Sequence, residues 1–379
     1  MTRARPHFNI TVWLLLLVVL LLGAYFRFLN VDWDEGEHLH PDERYMTMVT
    51  GGIRWPGTVD NPQPPPPGCM EWGGYFDSYC SPLNPYNRNY GSYAYGTLPL
   101  FGARFVGEWL NGACIDPAVP EAEPSALKRG IAGLFFQDVE GCIGDRFTDY
   151  GHIHLIGRML SALADLGTVL FIFLIGRRLY SPWVGLLAAA LHALAALPIQ
   201  QSHFYTVDAF AAFFITAAGY FTTRAAQDGR WRDFGAAGLG FGLALACKVS
   251  VWPFAAIIIL AALLYYVRRQ RTDPSQTETP ADTQEIGRHS PVLNGLMALL
   301  LIILCFLIFA TAVFGIWSAV KIAFYAAIAL LFVGGAAFYI YRPGAGHGVS
   351  VDRLLLRLVL AGILAFIAFR VAQPYAFVG

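Results

Sequence analysis

The densest group of residues able to do chemistry is the run His38-Leu39-His40-Pro41-Asp42-Glu43-Arg44-Tyr45, which follows an acidic stretch holding Asp32, Asp34, Glu35 and Glu37. Two adjacent carboxylates suit proton transfer: one takes a proton from an attacking hydroxyl while its neighbour orients that hydroxyl or a metal. Pro41 presets a helical φ, so a short helix can open there, with Asp42 and Glu43 among the unpaired N–H groups of its first turn. Helix capping in a solvated acidic loop would account for the same residues without chemistry. His38 and His40 are the donor types of a divalent-metal site, with solvated or hydrogen-bonded histidines as the alternative.

More polar groups lie far away in sequence. His203, Tyr205 and Asp208 fall between two apolar segments, where Asp208 is either an N-terminal helix acid or a second carboxylate facing Asp42. Arg158 and Asp165 are two helical turns apart and share a face, which suits an internal ion pair or anion binding by Arg158. Lys248 sits at an apolar rim, placed either to snorkel or to meet a lipid phosphate. Arg370, Gln373 and Tyr375 close the last apolar segment. A charge inside a bilayer costs about 2.5–3.5 kcal/mol on insertion scales, so such residues need a reason.

The elements that must position these groups are membrane spans. The 379-residue chain is 56% hydrophobic and 14% charged with a mean hydropathy of +0.49, too little polar surface for a water-soluble fold. Acids and bases balance at 26 each, which excludes a nucleic-acid footprint. The apolar run from Ile10 to Phe26 is too long for a signal h-region and lacks a small-residue cleavage site, so it reads as an uncleaved first span. Eight further apolar segments follow, at about 155–176, 183–200, 208–223, 234–247, 250–267, 292–313, 316–341 and 354–370.

Alternate short connections carry the arginines: Arg177 and Arg178, then Arg224, Arg230 and Arg232, then Arg268, Arg269, Arg271 and Arg288, then Arg342 and Arg353. By the positive-inside rule these connections and the N-terminus are cytoplasmic. The expectation is an all-α integral membrane protein of about nine spans. A cytoplasmic N-terminus (1–8) and first span (9–29) precede a large extracytoplasmic loop (30–153). Five spans (154–267), a disordered cytoplasmic linker (268–291) and three last spans (292–379) complete the chain. The loop holds Cys69, Cys80, Cys114 and Cys142; proximity favours pairing Cys69 with Cys80 and Cys114 with Cys142, and four free thiols are the alternative.

One span followed by a long outward loop with Pro41-Asp42-Glu43-Arg44-Tyr45 resembles the GT-C membrane glycosyltransferases of the protein O-mannosyltransferase and aminoarabinose-transferase type. Their motif carries one more residue between Glu and Arg. The segments GRMLSALADL (157–166), SHFYTVDAFAAFF (202–214), LALACKVS (243–250) and FRVAQPYAF (369–377) extend the resemblance along most of the chain. It implies inverting transfer of a sugar from a polyprenyl-phosphate donor to a protein, lipid or glycan acceptor at the outer face of a bacterial plasma membrane.

Carried over, Asp42 is the general base, Glu43 its acceptor-positioning neighbour and Asp208 a second acid. Lys248 and Arg158 would hold the donor phosphate, and His203, Tyr205, Arg44, Tyr45, Gln373 and Tyr375 would line the substrate. No cofactor is implied beyond a divalent ion in some members, for which His38 and His40 are the candidates. Such proteins continue past the point where this chain stops, so a missing C-terminal part or a partner subunit is expected. An ion-coupled transporter and a non-catalytic subunit of a larger complex are the rival functions. Transporter coupling groups sit near the midplane, often with internal repeats, whereas here the acids lie at outer span ends and no repeat is evident.

Overall fold

The computed structural model describes residues 10–57, 63–117, 123–133, 136, 139–271 and 351–376. Among these residues the chain is helical, with one isolated bridge between Ile115 and Ile143 as its only β pairing. α1 (Ile10–Phe28) leads into the large loop, which carries α2 (Pro41–Gly52), α3 (Leu98–Asn111) and α4 (Ala126–Gly133). Then come α5 (Ile153–Leu179), α6 (Pro182–Leu194), α7 (Ala196–Ser202), α8 (Val207–Asp228), α9 (Trp231–Leu245), α10 (Phe254–Arg271) and α11 (Val351–Ala372).

Among the described residues, four helical stretches are long and apolar enough to cross a membrane: Ile10–Phe28, Ile153–Leu179, Val249–Arg269 and Val351–Ala372; α6 and α7 together make up to a fifth. The expected count of nine spans is therefore not reproduced among the described residues. α9 is 15 residues long, too short to cross alone, and α8 carries Asp208, Thr222, Thr223 and Arg224 in its 22 residues. The spans expected at 292–313 and 316–341, the N-terminal eight residues and most of the 268–291 linker lie outside the described residues.

Local chemistry explains the element edges. α1 buries Val12, Leu16, Gly23 and Arg27 along one stripe while Leu14, Leu17, Leu21 and Leu22 stay exposed, as expected of a helix with protein on one side and lipid on the other. α6 opens on Ser181, whose hydroxyl accepts the Val184 N–H, with Pro182 in the first turn. The span expected at 183–200 is bent by 59° between α6 and α7. Pro198 has no N–H for the Leu194 carbonyl and its ring crowds that turn, so the helix breaks at Ala195. α9 meets α11 through Gly238 and Gly242, where a Cβ would lie 2.1 Å from the carbonyl oxygens of Ala361 and Ala365. Small residues four apart let the two backbones touch.

The large loop is built onto the helix ends. Its core of Met46, Val49, Leu83, Leu100, Phe101 and Phe147 is continuous with Ile153 of α5, Val207 of α8 and Tyr375 after α11. Disulfides Cys69–Cys80 and Cys114–Cys142 brace it, matching the pairing favoured by proximity. Tyr75 donates to the Val371 carbonyl at 2.6 Å and Thr97 to the Ala372 carbonyl at 2.9 Å, tying the loop to the end of α11.

Candidate functional site

α2 begins as its residues dictate. His40 is the N-cap, its Nδ1 accepting the Glu43 N–H at 3.4 Å, with Pro41 first in the helix and Asp42 and Glu43 in the first turn. The two acids then part. Glu43 is fully buried: Oε1 accepts from Arg158 Nε at 2.7 Å and from the Tyr205 N–H at 2.8 Å, and Oε2 accepts from Arg158 Nη2 at 2.8 Å. Arg158 also donates to Asp34 Oδ2 at 2.9 Å and to the Val31 carbonyl at 2.8 Å, and its guanidinium lies over the Trp33 ring. This one arginine ties α5 to α2, to the segment after α1 and to the segment before α8. Burial pushes the Asp34 carboxyl up, but the Arg158 hydrogen bond and charge and the Leu39 N–H outweigh it and hold the group at about 2.

Asp42 turns the other way and is exposed. Tyr95 is its electrostatic neighbour. Burial first, then the nearness of the Asp42 carboxylate and the charge of Asp208, raise the pKa of Tyr95 and keep it a neutral phenol. Lys248 donates to Asp208 Oδ1 at 2.6 Å, and both side chains remain nearly half exposed (43% and 47%), within reach of a ligand. The loop around Tyr95 is pinned to the end of α9 by Gly96 N–H to Cys247 carbonyl (3.1 Å) and Leu98 N–H to Ala246 carbonyl (3.3 Å) bonds. A Cβ on Gly96 would sit 2.0 Å from the Ala246 carbonyl oxygen, so only glycine permits this approach beside Lys248. Tyr95 is thus the point on which Asp42, from α2, and Asp208, from α8, both bear.

The other candidates fall into two sets. Tyr205 is fully buried, with its hydroxyl on Thr50 Oγ1 (2.9 Å) and the Pro99 carbonyl (3.2 Å). Tyr375 is buried too, bonded to Ser81 Oγ at 2.8 Å and to the Tyr75 carbonyl at 2.7 Å. His203 places its ring nitrogens on the Ile199 (2.8 Å) and Leu29 (3.0 Å) carbonyls. Arg44, exposed, donates to the His38 carbonyl at 3.0 Å, Tyr45 meets Ser92 Oγ at 2.8 Å, and the half-buried Gln373 leaves its Oε1 without a hydrogen-bond partner. A cavity of 440 Å³ lined by Met48, Gly51, Gly52, Tyr90 and Tyr150 opens at the far end of α2 and includes none of these residues.

Two expectations need correction. Arg158 and Asp165 share a face of α5 but do not pair; Asp165 takes Arg27 at 2.6 Å and His192 at 3.1 Å, while Arg158 reaches the loop acids. Arg27 is fully buried and also donates to the Ala193 carbonyl at 2.8 Å, so it locks α1 against α5 and α6. The two histidines of the His-x-His pair go to different places. His40 caps α2 with its ring 4.4 Å from Phe204, and the buried His38 ring lies against Tyr150 and His154. Among the described residues, the group whose donor atoms converge as metal ligands would is Asp32, Asp34 and His154.

Tyr95 escaped the sequence argument as a chemical group; its signal was its place before Gly96 in a Tyr- and Gly-rich stretch, while His154 was legible as an imidazole at the start of an apolar segment.

Residues 151–276 match the family model for dolichyl-phosphate-mannose-protein mannosyltransferase. No curated protein and no solved structure matches the chain. The matched third of the chain holds Arg158, Asp165, His203, Tyr205, Asp208 and Lys248, and the loop with Asp42 and Tyr95 lies before it. That match, on a chain with these apolar helices, supports a GT-C-like membrane glycosyltransferase.

Proposed function

We propose that this protein transfers a sugar from a polyprenyl-phosphate carrier to an acceptor hydroxyl at the extracytoplasmic face, with inversion and with Asp42 as general base. The observation that carries the reading is the half-exposed Lys248–Asp208 pair, with the exposed Asp42 and Asp208 both acting electrostatically on the Tyr95 phenol. The acceptor hydroxyl attacks the anomeric carbon, Asp42 takes its proton, and the carrier phosphate leaves with the bonding pair. An exposed carboxylate beside a phenol is suited to accept that proton. A phosphate leaves as a stable anion, so it needs a cation more than an acid, and Lys248 supplies one on a half-exposed side chain that Asp208 aims. Tyr95 orients Asp42.

Arg158 and Glu43 take positioning roles in this reading, since their hydrogen-bonding groups are spent on each other, on Asp34 and on backbone. The extracytoplasmic side is supported by the two disulfides of the loop, which suit an oxidising compartment. It is supported as well by Arg177 and Arg178 in the last turn of α5, at the opposite end of that helix from His154. The family name makes a mannosyl phospholipid the first donor to try. Purified protein incubated with polyprenyl-phosphate mannose and a peptide or glycan acceptor should release the carrier phosphate and form one new anomer. Lack of donor turnover with every polyprenyl-phosphate sugar offered would overturn the proposal.

A further inference from the structure

We infer that Asp32, Asp34 and His154 form a binding site for one first-row divalent cation of the Zn²⁺ or Mn²⁺ kind, which clasps the segment after α1 to the start of α5. The inference does not rest on the sugar-transfer reading.

The charge balance behind α2 is uneven. Arg158 alone faces Glu43 at 2.7 Å, Asp34 at 2.9 Å and Asp32 at 4.0 Å. One cation therefore faces three carboxylates, which leaves the cluster with an excess of negative charge beside a low-dielectric bundle. Asp34 uses Oδ2 for Arg158 and the Leu39 N–H, while its Oδ1 is buried with no hydrogen-bond partner.

His154 supplies the second, independent observation. It is the second residue of α5, it is fully buried, and neither ring nitrogen has a hydrogen-bond partner. A buried polar group left unpaired costs about 1–3 kcal/mol, and native structures keep few of them. Nε2 points at Asp32 Oδ1 from 3.8 Å, too far for a hydrogen bond. One donor atom from each of Asp32, Asp34 and His154 lies within 4.8 Å of the others. Three ligands about 2.0–2.2 Å from a common ion sit closer together than that, so small side-chain rotations would close the set. The His38 ring, 4.3 Å from His154 in an edge-on contact, holds the imidazole in place from behind. Asp32 is 52% exposed and gives an ion its way in.

Two carboxylate oxygens and one imidazole nitrogen select a metal that accepts both donor types. Ca²⁺ and Mg²⁺ prefer all-oxygen shells and Cu⁺ prefers sulfur, whereas Zn²⁺ and Mn²⁺ are first-row ions that take both donor types, with water completing the shell. The bound ion would cancel the excess negative charge and fix the wall against which α2, and hence Asp42, is seated.

The test uses the full chain in detergent, stripped with EDTA and titrated separately with ZnCl₂ and MnCl₂ without any sugar donor. Saturable binding of one equivalent and a rise in melting temperature are expected for at least one of the two metals. Asp32→Asn and His154→Ala should each weaken binding at least tenfold, and Asp42→Asn should leave it unchanged. Should His154→Ala fail to fold, Asp32→Asn changes a half-exposed side chain and still decides the question. Absence of a saturable equivalent, or binding retained at full affinity in Asp32→Asn, would mean an adventitious ion only and overturn the inference. Because no donor is present, a negative result here is distinct from a failure of the sugar-transfer reading.

Discussion

Asp42 and Glu43 are consecutive residues in one helical turn, yet they belong to two opposite environments. Glu43 enters a buried ionic knot in which both of its oxygens are bonded, and Asp42 enters an open cluster in which Asp208 and Lys248 remain within reach of a ligand. Successive helical side chains diverge by about 100°, which here sends one of two adjacent acids inward and the other outward. The inward acid places the helix; the outward acid is free to act. The knot is worth a great deal to the fold because leaving any buried charge in it unpaired is costly, whereas the open cluster contributes little to stability and can be altered without unfolding. Activity and stability should therefore come apart when the two regions are mutated.

The largest effect expected on activity is from Asp42→Asn, which should lower kcat for sugar transfer by about 10²–10⁴-fold. Its melting temperature should stay at the wild-type value. Near-normal transfer would remove the base assignment and, with it, the open half of the contrast. Arg158→Met should do the reverse. Glu43 and Asp34 would remain as buried carboxylates without their cation, a loss of about 3–5 kcal/mol read as a large drop in melting temperature in detergent. If that variant stays as stable as wild type and only raises KM for the donor, Arg158 is a phosphate ligand and the knot is not structural.

How far the sequence reveals this depends on range. The opening of α2 at Pro41, the acids in its first turn and the apolar helices were legible because each is a local matter of φ, capping and hydropathy. The break in the sixth and seventh helices was written in Pro198, but an uninterrupted apolar count from 183 to 200 hid it. What the sequence left open were the partners: Glu43 meets Arg158 across 115 residues and Arg27 meets Asp165 across 138. Helical spacing told that Arg158 and Asp165 share a face and could not tell that each had a better partner on another element. For the same reason the unpaired nitrogens of His154 and the role of Tyr95 become visible only once the loop is folded over the helix ends.

Lys248→Met comes next, with donor turnover falling by about 10²-fold through loss of the cation beside the leaving phosphate. The Lys248–Asp208 pair is nearly half exposed, so it should contribute at most about 1 kcal/mol to stability. A variant that loses activity only because it unfolds would move Lys248 into the structural set and blur the contrast. A smaller effect belongs to Asp34, whose carboxyl is held at about 2 against an ordinary value of 3.8. The unfolded chain takes up this proton first on acidification, so the contribution, about 2 kcal/mol, is complete above pH 4 and is lost as the pH falls towards 2. Comparing acid melts of wild type and Asp34→Asn checks it: their difference should be flat above pH 4 and shrink below. A difference that changes between pH 5 and 7 would mean that Arg158 does not hold this carboxylate.

Tyr95→Phe is the mildest change and the sharpest probe of how the open cluster works. It removes one hydroxyl, keeps the ring, and leaves Gly96 pinned against the end of the ninth helix. The hydroxyl does no bond-making; its proposed part is a hydrogen bond that aims the neighbouring Asp42 carboxylate. Losing one such bond costs about 1–2 kcal/mol, so kcat should fall by about tenfold. A kcat left at the wild-type value, or a fall in kcat matched by a fall in melting temperature, would leave Tyr95 as packing and not as the residue that aims Asp42.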